Sequence, residues 1–279
     1  MEFRPLRERD LTSIPAWLAG HELRPDLWRG EHTRAAVAET DEIVAVGIMW
    51  TSRVHGDRYW VDVVVHPGHR RRGIGTAMAH HLAALRAAPL ALMTRGYVDD
   101  PGLAFADALG ARTIQIVPPA KTTTAARTAL RAGPATIAVG SVDRAVIEAA
   151  NARIYEWTHA SWSPVATGFA DALNEDLWDE IDPEASSVVM DSTGRVLALA
   201  LVYLDGETPL LTAETTDAAT PDGERLVEAC ILRSLDVLSD RGVVDVEFDG
   251  HVSDPHFLPV LARVKPTGRW FRLVEIPVL

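Results

Sequence analysis

The stretch Val65-His66-Pro67-Gly68-His69-Arg70-Arg71-Arg72-Gly73-Ile74-Gly75-Thr76 stands between a run of strand formers, Trp60 to Val65, and a segment whose apolar positions are 74, 77, 78, 82 and 85. Spacings of three and four predict a helix with one apolar face, and the abrupt His-Pro-Gly predicts that the strand ends there. A helix N-terminus leaves about four backbone N–H groups without intrahelical acceptors and carries partial positive charge, so it holds an anion well. Gly73 and Gly75 remove side chains where a ligand must approach the backbone closely. Arg70, Arg71 and Arg72 add charge-assisted donors at the same place. The physical reading is a cradle for a pyrophosphate.

Other phosphate and nucleic-acid motifs fit less well. A P-loop ends in Gly-Lys-Ser/Thr, and no lysine stands here. A dinucleotide fingerprint needs a third glycine at position 78, where the chain has Met78 on the packed stripe. An arginine triplet also suits nucleic-acid contact, but this run is short and locked between a strand and a helix. What remains is Arg-x-x-Gly-x-Gly following Val-x-Pro.

The rest of the composition bounds the answer. At 279 residues, 47% apolar and 24% charged, the chain has the makings of two ordinary globular domains. No apolar run approaches the roughly 18 residues of a membrane helix, and the first ten residues are too charged for a signal peptide, so a cytoplasmic protein is expected. The single Cys230 excludes an internal disulfide and thiolate-rich zinc sites. His66 with His69, and His80 with His81, lack further ligands, so no metal is expected. Residues 1–140 carry 17 Lys/Arg and 14 Asp/Glu, net +3; residues 141–279 carry 10 and 25, net −15, which together give the −12 of the whole chain. So acidic a chain is ill suited to nonspecific nucleic-acid binding.

The sequence also repeats. Gly96-Tyr97-Val98-Asp99-Asp100-Pro101 recurs as Gly250-His251-Val252-Ser253-Asp254-Pro255, an offset of 154. At that offset the apolar run Ile43 to Trp50 falls on Leu197 to Leu204, and the helical segment ending near Ala88 falls on one ending near Gly242. Short strands followed by helices, twice over, predict two copies of an α/β unit with a mixed sheet. The copies are expected at 1–140 and 141–279, with Ala132-Gly133-Pro134 as the break and Ser141-Val142-Asp143 capping a new helix. Tryptophan-rich stretches around Trp17, Trp28, Trp157, Trp162 and Trp178 read as short helices.

The turn resembles the acetyl-CoA-binding signature of the GNAT acetyltransferase superfamily, and the repeat extends that resemblance to a tandem GNAT. The resemblance implies that Val63, Val64 and Val65 lie on the strand that pairs with pantetheine, and that Arg70, Arg71, Arg72, Gly73, Ile74, Gly75 and Thr76 wrap the pyrophosphate. Asp99 to Leu109-Gly110-Ala111 partly matches a second family element, with Asp99 and Phe105 as further coenzyme contacts. At offset 154, Arg70, Gly73 and Gly75 fall on Glu224, Val227 and Ala229, or a small gap aligns Gly223 instead. Either way the arginines are missing, so the second copy is expected to be degenerate, kept for architecture or acceptor contact.

Acetyl transfer to an amine needs a deprotonated nucleophile, while an alkylamine of pKa near about 10.4 is mostly charged at neutral pH. The family's base falls at Tyr59, and Asp62 is the nearest carboxylate on that strand. The family's tyrosine acid falls on Ala106, leaving Tyr97 as the substitute. Trp17, Glu22, Asp26 and Trp28 are the implied acceptor contacts. The expected activity is acetyl-CoA-dependent N-acetylation of a small amine by direct attack on the thioester. From the acidic second half, the expected acceptor is cationic, such as an antibiotic or secondary metabolite. Two alternatives are a non-catalytic acyl-CoA-binding regulatory protein and an enzyme akin to the mycothiol synthases.

Overall fold

The computed structural model describes residues 1–277 apart from Asp205, His251 and Ser253. It divides into two compact units, Met1–Ile114 with the chain from Leu273, and Gln115–Arg272. The first contains β1 (Glu2–Pro5), α1 (Glu8–Leu11), a 3-10 turn (Ala16–Leu18), β2 (Thr33–Glu39), β3 (Ile43–Thr51), β4 (Arg58–Val65), a second 3-10 turn (Pro67–His69), α2 (Ile74–Ala84), β5 (Ala91–Tyr97), α3 (Pro101–Ala108) and the start of β6 (Arg112–Val117). The second contains β7 (Lys121–Thr123), β8 (Ile137–Ala138), α4 (Arg144–His159), α5 (Phe169–Asn174), α6 (Leu177–Glu180), β9 (Ser187–Met190), β10 (Val196–Tyr203), β11 (Leu210–Thr215), α7 (Gly223–Asp240), β12 (Asp245–Asp249) and α8 (Phe257–Val264). The last strand, β13 (Phe271–Ile276), joins the first sheet.

The first sheet runs β1-β2-β3-β4-β5-β13-β6 and the second β7-β12-β11-β10-β9-β8. Both are mixed. The run from β1 to β4 is antiparallel, and β4 then pairs with β5 in parallel, as strands joined through a crossover helix do. The second sheet repeats this, antiparallel from β8 to β11 and parallel between β11 and β12. The expected repeat is therefore present in three dimensions. β3 corresponds to β10, α2 to α7, β5 to β12 and α3 to α8; Leu103 and Phe257, 154 apart, are both fully buried in their units' cores. His251 and Ser253 of the repeated hexapeptide lie outside the described residues.

Alternation along β4 sorts its residues onto two faces. Tyr59 and Val61 pack with Ile74, Met78 and Leu82 of α2, Leu103 and Ala106 of α3, and Val274 and Ile276 of β13. Burying Met78 and Leu82 completely contributes about 2–3 kcal/mol each. On the opposite face Leu6, Leu18, Val46 and Ile48 form a second cluster, flanked by Trp17, Trp28, Trp50 and Val64. Glu275 of β13 receives Arg58 at 2.5 Å and Arg112 at 2.7 Å, tying the last strand to its sheet.

Two expectations differ from this architecture. Residues 115–140 belong with the second unit rather than the first: Lys121–Thr123 pairs with β12, and Thr124 Oγ1 donates to the Val243 carbonyl. Asp143 does cap α4, accepting the Ala145 N–H at 2.9 Å. Trp28 lies in a turn, not a helix, because Leu27 and Gly30 both have left-handed backbones (φ 61° and 89°).

Candidate active site

The parallel ladder between β4 and β5 covers only Arg58–Ala91, Tyr59–Leu92 and Trp60–Met93. Both strands continue, β4 to Val65 and β5 to Tyr97, so they separate beyond that point. β4 stays paired with β3 throughout, up to Ala45–Val65. In such a strand, backbone groups engaged on one side alternate with groups facing the other. Val63, Val64 and Val65 thus present backbone donors and acceptors to an opening rather than to a neighbouring strand, and buried groups of that kind require a partner.

Immediately after this edge the chain makes the arginine-glycine turn. His66 N–H donates to the Val44 carbonyl at 2.9 Å, and its Nδ1 accepts the Gly68 N–H at 3.1 Å. Arg70 Nε donates to the Val65 carbonyl at 3.1 Å, bracing the turn against the end of β4. Arg71 has φ 62° and Gly73, the N-cap of α2, φ 78°. A non-glycine left-handed residue costs about 1–2 kcal/mol and concentrates where backbone geometry serves a function. Gly75 is required for space: a Cβ there would stand 3.3 Å from Phe105 Cζ and 3.5 Å from Val65 Cγ2.

The structure brings Arg70, Arg71, Arg72, Gly73 and Thr76 to one exposed surface at the start of α2. Ile74 differs from the rest, since its side chain is buried in the core and only its backbone faces the turn. Phe105 reaches the same place as a wall behind Gly75. Asp99 stands in the turn after β5, one residue before Asp100, which caps α3 by accepting the Gly102 N–H at 2.8 Å.

The catalytic candidates separate. Tyr59 is 0% exposed; its hydroxyl contacts His32 Nδ1 at 2.9 Å and accepts the Ala88 N–H at 3.3 Å. That is a core position. Asp62 is exposed on the opposite face, and makes no hydrogen bond or ion pair with the other described residues. Tyr97 closes β5. Ala106 is buried at 1% exposure in α3, packed as a core methyl.

The acceptor candidates share the face of Asp62, with one correction. Trp17 packs edge-on against His66 with ring centroids 5.4 Å apart, and Trp28 belongs to the same cluster. Glu22 is exposed. Asp26 is committed to structure: it holds Arg34 Nε and Nη2 at 3.0 Å and the Ala35 N–H at 2.9 Å. Three residues not anticipated from sequence stand beside the opening. Trp60 stacks on Trp50, its cross-strand partner, with centroids 6.3 Å apart, and the Arg95 guanidinium sits 5.2 Å over the Trp60 ring. Arg95 lies two residues beyond Met93, a spacing that alternation along β5 would have exposed.

The second unit is built differently at the corresponding place. β11 to α7 is bridged by Thr216-Asp217-Ala218-Ala219-Thr220-Pro221-Asp222, which contains no arginine. Asp222 and Gly223 stand at the helix start, whereas Val227 and Ala229 are buried inside α7, so the small gap is the correct alignment. The end of β11 is already occupied by side chains of α4. Trp157 Nε1 donates to the Thr215 carbonyl at 2.8 Å, and Arg153 Nε to that of Thr216 at 2.9 Å. Glu224 pairs with Arg131 and Arg263, and Glu228, 1% exposed, holds Arg131 at 2.8 Å.

A strand opening followed by a glycine-arginine turn and a helix defines a class, and comparison with known proteins agrees. Residues 3–94 match the Acetyltransferase (GNAT) family, and the chain carries a GNAT acetyltransferase domain there. Over 205 residues the chain is 31% identical to the mycothiol acetyltransferase of Clavibacter sepedonicus, covering 69% of this chain and 64% of that protein; it thus spans under two thirds of that relative's length. Among solved structures it is similar to a tandem GNAT protein from the clavulanic acid biosynthesis pathway (TM-score 0.60, 19% identity, 99% of this chain and 98% of the other). It is also similar to a GCN5-related N-acetyltransferase from Sphaerobacter thermophilus (TM-score 0.63, 16% identity, 92% and 82%). At those identities the two structures establish the fold, a tandem of mixed α/β units. Among the described residues no helix is long and apolar enough to cross a membrane, and no group of three or more His, Cys, Asp and Glu could hold a metal ion.

Proposed function

We propose that the protein is an acetyl-CoA-dependent N-acetyltransferase for a small amine, with its coenzyme site in the first unit. The observation that carries this reading is the end of the β4–β5 ladder at Trp60–Met93, directly ahead of a turn that presents three arginines at a helix N-terminus. The residues present suit the coenzyme. The N–H groups at the start of α2, with Arg70, Arg71 and Arg72, would hold its pyrophosphate, and the free edge of Val63, Val64 and Val65 would hold its amide-rich arm. When bound, acetyl-CoA supplies an acetyl group activated as a thioester, whose transfer forms an amide C–N bond and releases the thiol.

Asp62 supplies the proton acceptor in this reading. It is exposed, faces the opening's acceptor side and is free of competing partners, so it receives a proton from the incoming ammonium directly or through one water. Tyr59 does not serve, because its hydroxyl is buried and bonded. Holding the amine and the coenzyme together contributes the larger part of the rate. With Ala106 at the position of the usual acid, water returns the proton to the leaving thiolate, and Tyr97 is the protein group nearest in sequence that could share that task.

The second unit is proposed to lack coenzyme binding, since Trp157 and Arg153 occupy the strand end and Glu224 replaces a phosphate-binding arginine with an acid. The test is steady-state thiol release from acetyl-CoA against a panel of amines that includes the acceptor of a mycothiol acetyltransferase, with a no-acceptor blank. Acceleration by at least one amine is expected. Tight coenzyme binding with no acceleration by any amine would favour a regulatory acyl-CoA-binding protein, a reading to which Ala106 lends support.

A further inference from the structure

We infer that the acceptor carries an anionic oxygen group beside its amine, and that Arg95 receives it. The inference rests on the proposed function, in which the amine approaches Asp62. Asp62 and Arg95 occupy matched positions: each lies two residues beyond the last ladder pair, Trp60–Met93, one on either edge of the opening. Side chains two apart on a strand share a face, so both belong to the face of Trp60. Had the ladder continued, they would be neighbours about 4.8 Å apart between strands. It stops, they form no ion pair, and the separation leaves room for a ligand between an acid and a base.

Arg95 is set apart from the other strand arginines of its unit. Arg4 on β1 pairs with Asp10 and Glu39, Arg34 on β2 with Asp26, Arg58 on β4 with Glu275, and Arg112 on β6 with Glu275, all at 3.0 Å or less. Arg95 on β5 has no carboxylate among the described residues. It is held instead over the Trp60 indole, which is itself stacked on Trp50. A guanidinium on a rigid aromatic platform keeps its charge and its N–H donors while losing side-chain freedom, which lowers the cost of binding an anion. A second pair, Arg29 over Trp28 at 5.8 Å, extends the positive character of this face. A cationic acceptor followed from the charge of residues 141–279, but those carboxylates belong to the second unit, not to this face.

An acceptor that offers an ammonium to Asp62 and an anion to Arg95 is an amino acid or an aminoalkyl phosphate or phosphonate. The test uses the full chain with acetyl-CoA and matched sets of α-, β- and γ-amino acids, their carboxamides, and the corresponding aminophosphonates. Hydrogen bonds to a charged group are worth about 1.5–3 kcal/mol, so kcat/KM for the best anionic amine should exceed that of its amide by about 10- to 100-fold. Arg95→Gln should collapse that ratio towards one, chiefly through KM, and Arg95→Lys should restore part of it. Which anionic series wins assigns the group as carboxylate or phosphonate. Equal kcat/KM for acids and amides, or a ratio that survives in Arg95→Gln, overturns the inference while leaving the acetyltransferase reading intact. If no amine is turned over, that reading fails, and quenching of tryptophan fluorescence by each series decides this one: anion-selective, Arg95-dependent quenching supports it, and its absence overturns it.

Discussion

Trp60 and Met93 are the last partners in the parallel ladder between β4 and β5, and their strands run on for several residues without pairing to each other. In the second unit the equivalent ladder reaches Thr212–Asp249, and Asp249 is the final residue of β12. One sheet is open where the other is closed. The segments after the two ladders differ accordingly: a turn of arginines and glycines in the first unit, and in the second a strand end already bonded by Trp157 and Arg153.

Gly73→Val should abolish measurable coenzyme binding in a protein that still folds. Gly73 has φ 78°, and no atom lies within 4 Å of the point a Cβ would occupy, so a branched residue costs backbone strain of about 1–2 kcal/mol without a core clash. Calorimetry with acetyl-CoA, alongside a melting curve, checks both halves. Normal affinity in a folded variant would place the coenzyme elsewhere.

Asp62→Asn should lower kcat by about 10²-fold or more while coenzyme affinity holds, and it should remove the acidic limb of the pH–rate profile. Tyr59→Phe should do the opposite. Losing the hydroxyl that contacts His32 and accepts the Ala88 N–H destabilises the fold by about 1–2 kcal/mol and spares kcat. A Tyr59→Phe protein of normal stability with a hundredfold lower kcat would reverse the two assignments.

Much of the first unit is legible locally. The β4–turn–α2 segment reads correctly from Trp60 to Leu85 because its strand, glycines and helical stripe are contiguous, and the repeat is visible because 154 residues separate like from like. Non-local pairing is not legible. Nothing in Phe271–Ile276 announces that it inserts between β5 and β6, or in Lys121–Thr123 that it pairs with β12, since strand partners are chosen by whole-sheet packing. Counting back from the proline points to Tyr59 as a base, yet the period of two places it with Val61 on the core face and Asp62 on the other. Arg95 gains meaning only once the end of the ladder is known.

Glu275 should link stability to pH. Burial by itself would raise its carboxyl, but the bonds from Arg58 and Arg112 hold it below the usual carboxylate range. A depressed folded-state value means its contribution is present above the unfolded value, near about 4.3, and is lost as pH falls through the folded one. Glu275→Ala should destabilise the protein by about 2–3 kcal/mol at pH 7, since Asp57 still pairs with Arg58, and the deficit should shrink below about pH 4. Chemical denaturation at about pH 7 and about pH 3.5 measures it. An equal deficit at both would show that the carboxylate's charge is not what anchors β13.

Stoichiometry tests the central claim most directly. Titrating the full chain with acetyl-CoA in a calorimeter should give one site per chain, located in the first unit. Two sites would contradict the closed reading of the second unit around Trp157, Arg153 and Glu224, and no binding would contradict the coenzyme cradle at Arg70 to Thr76.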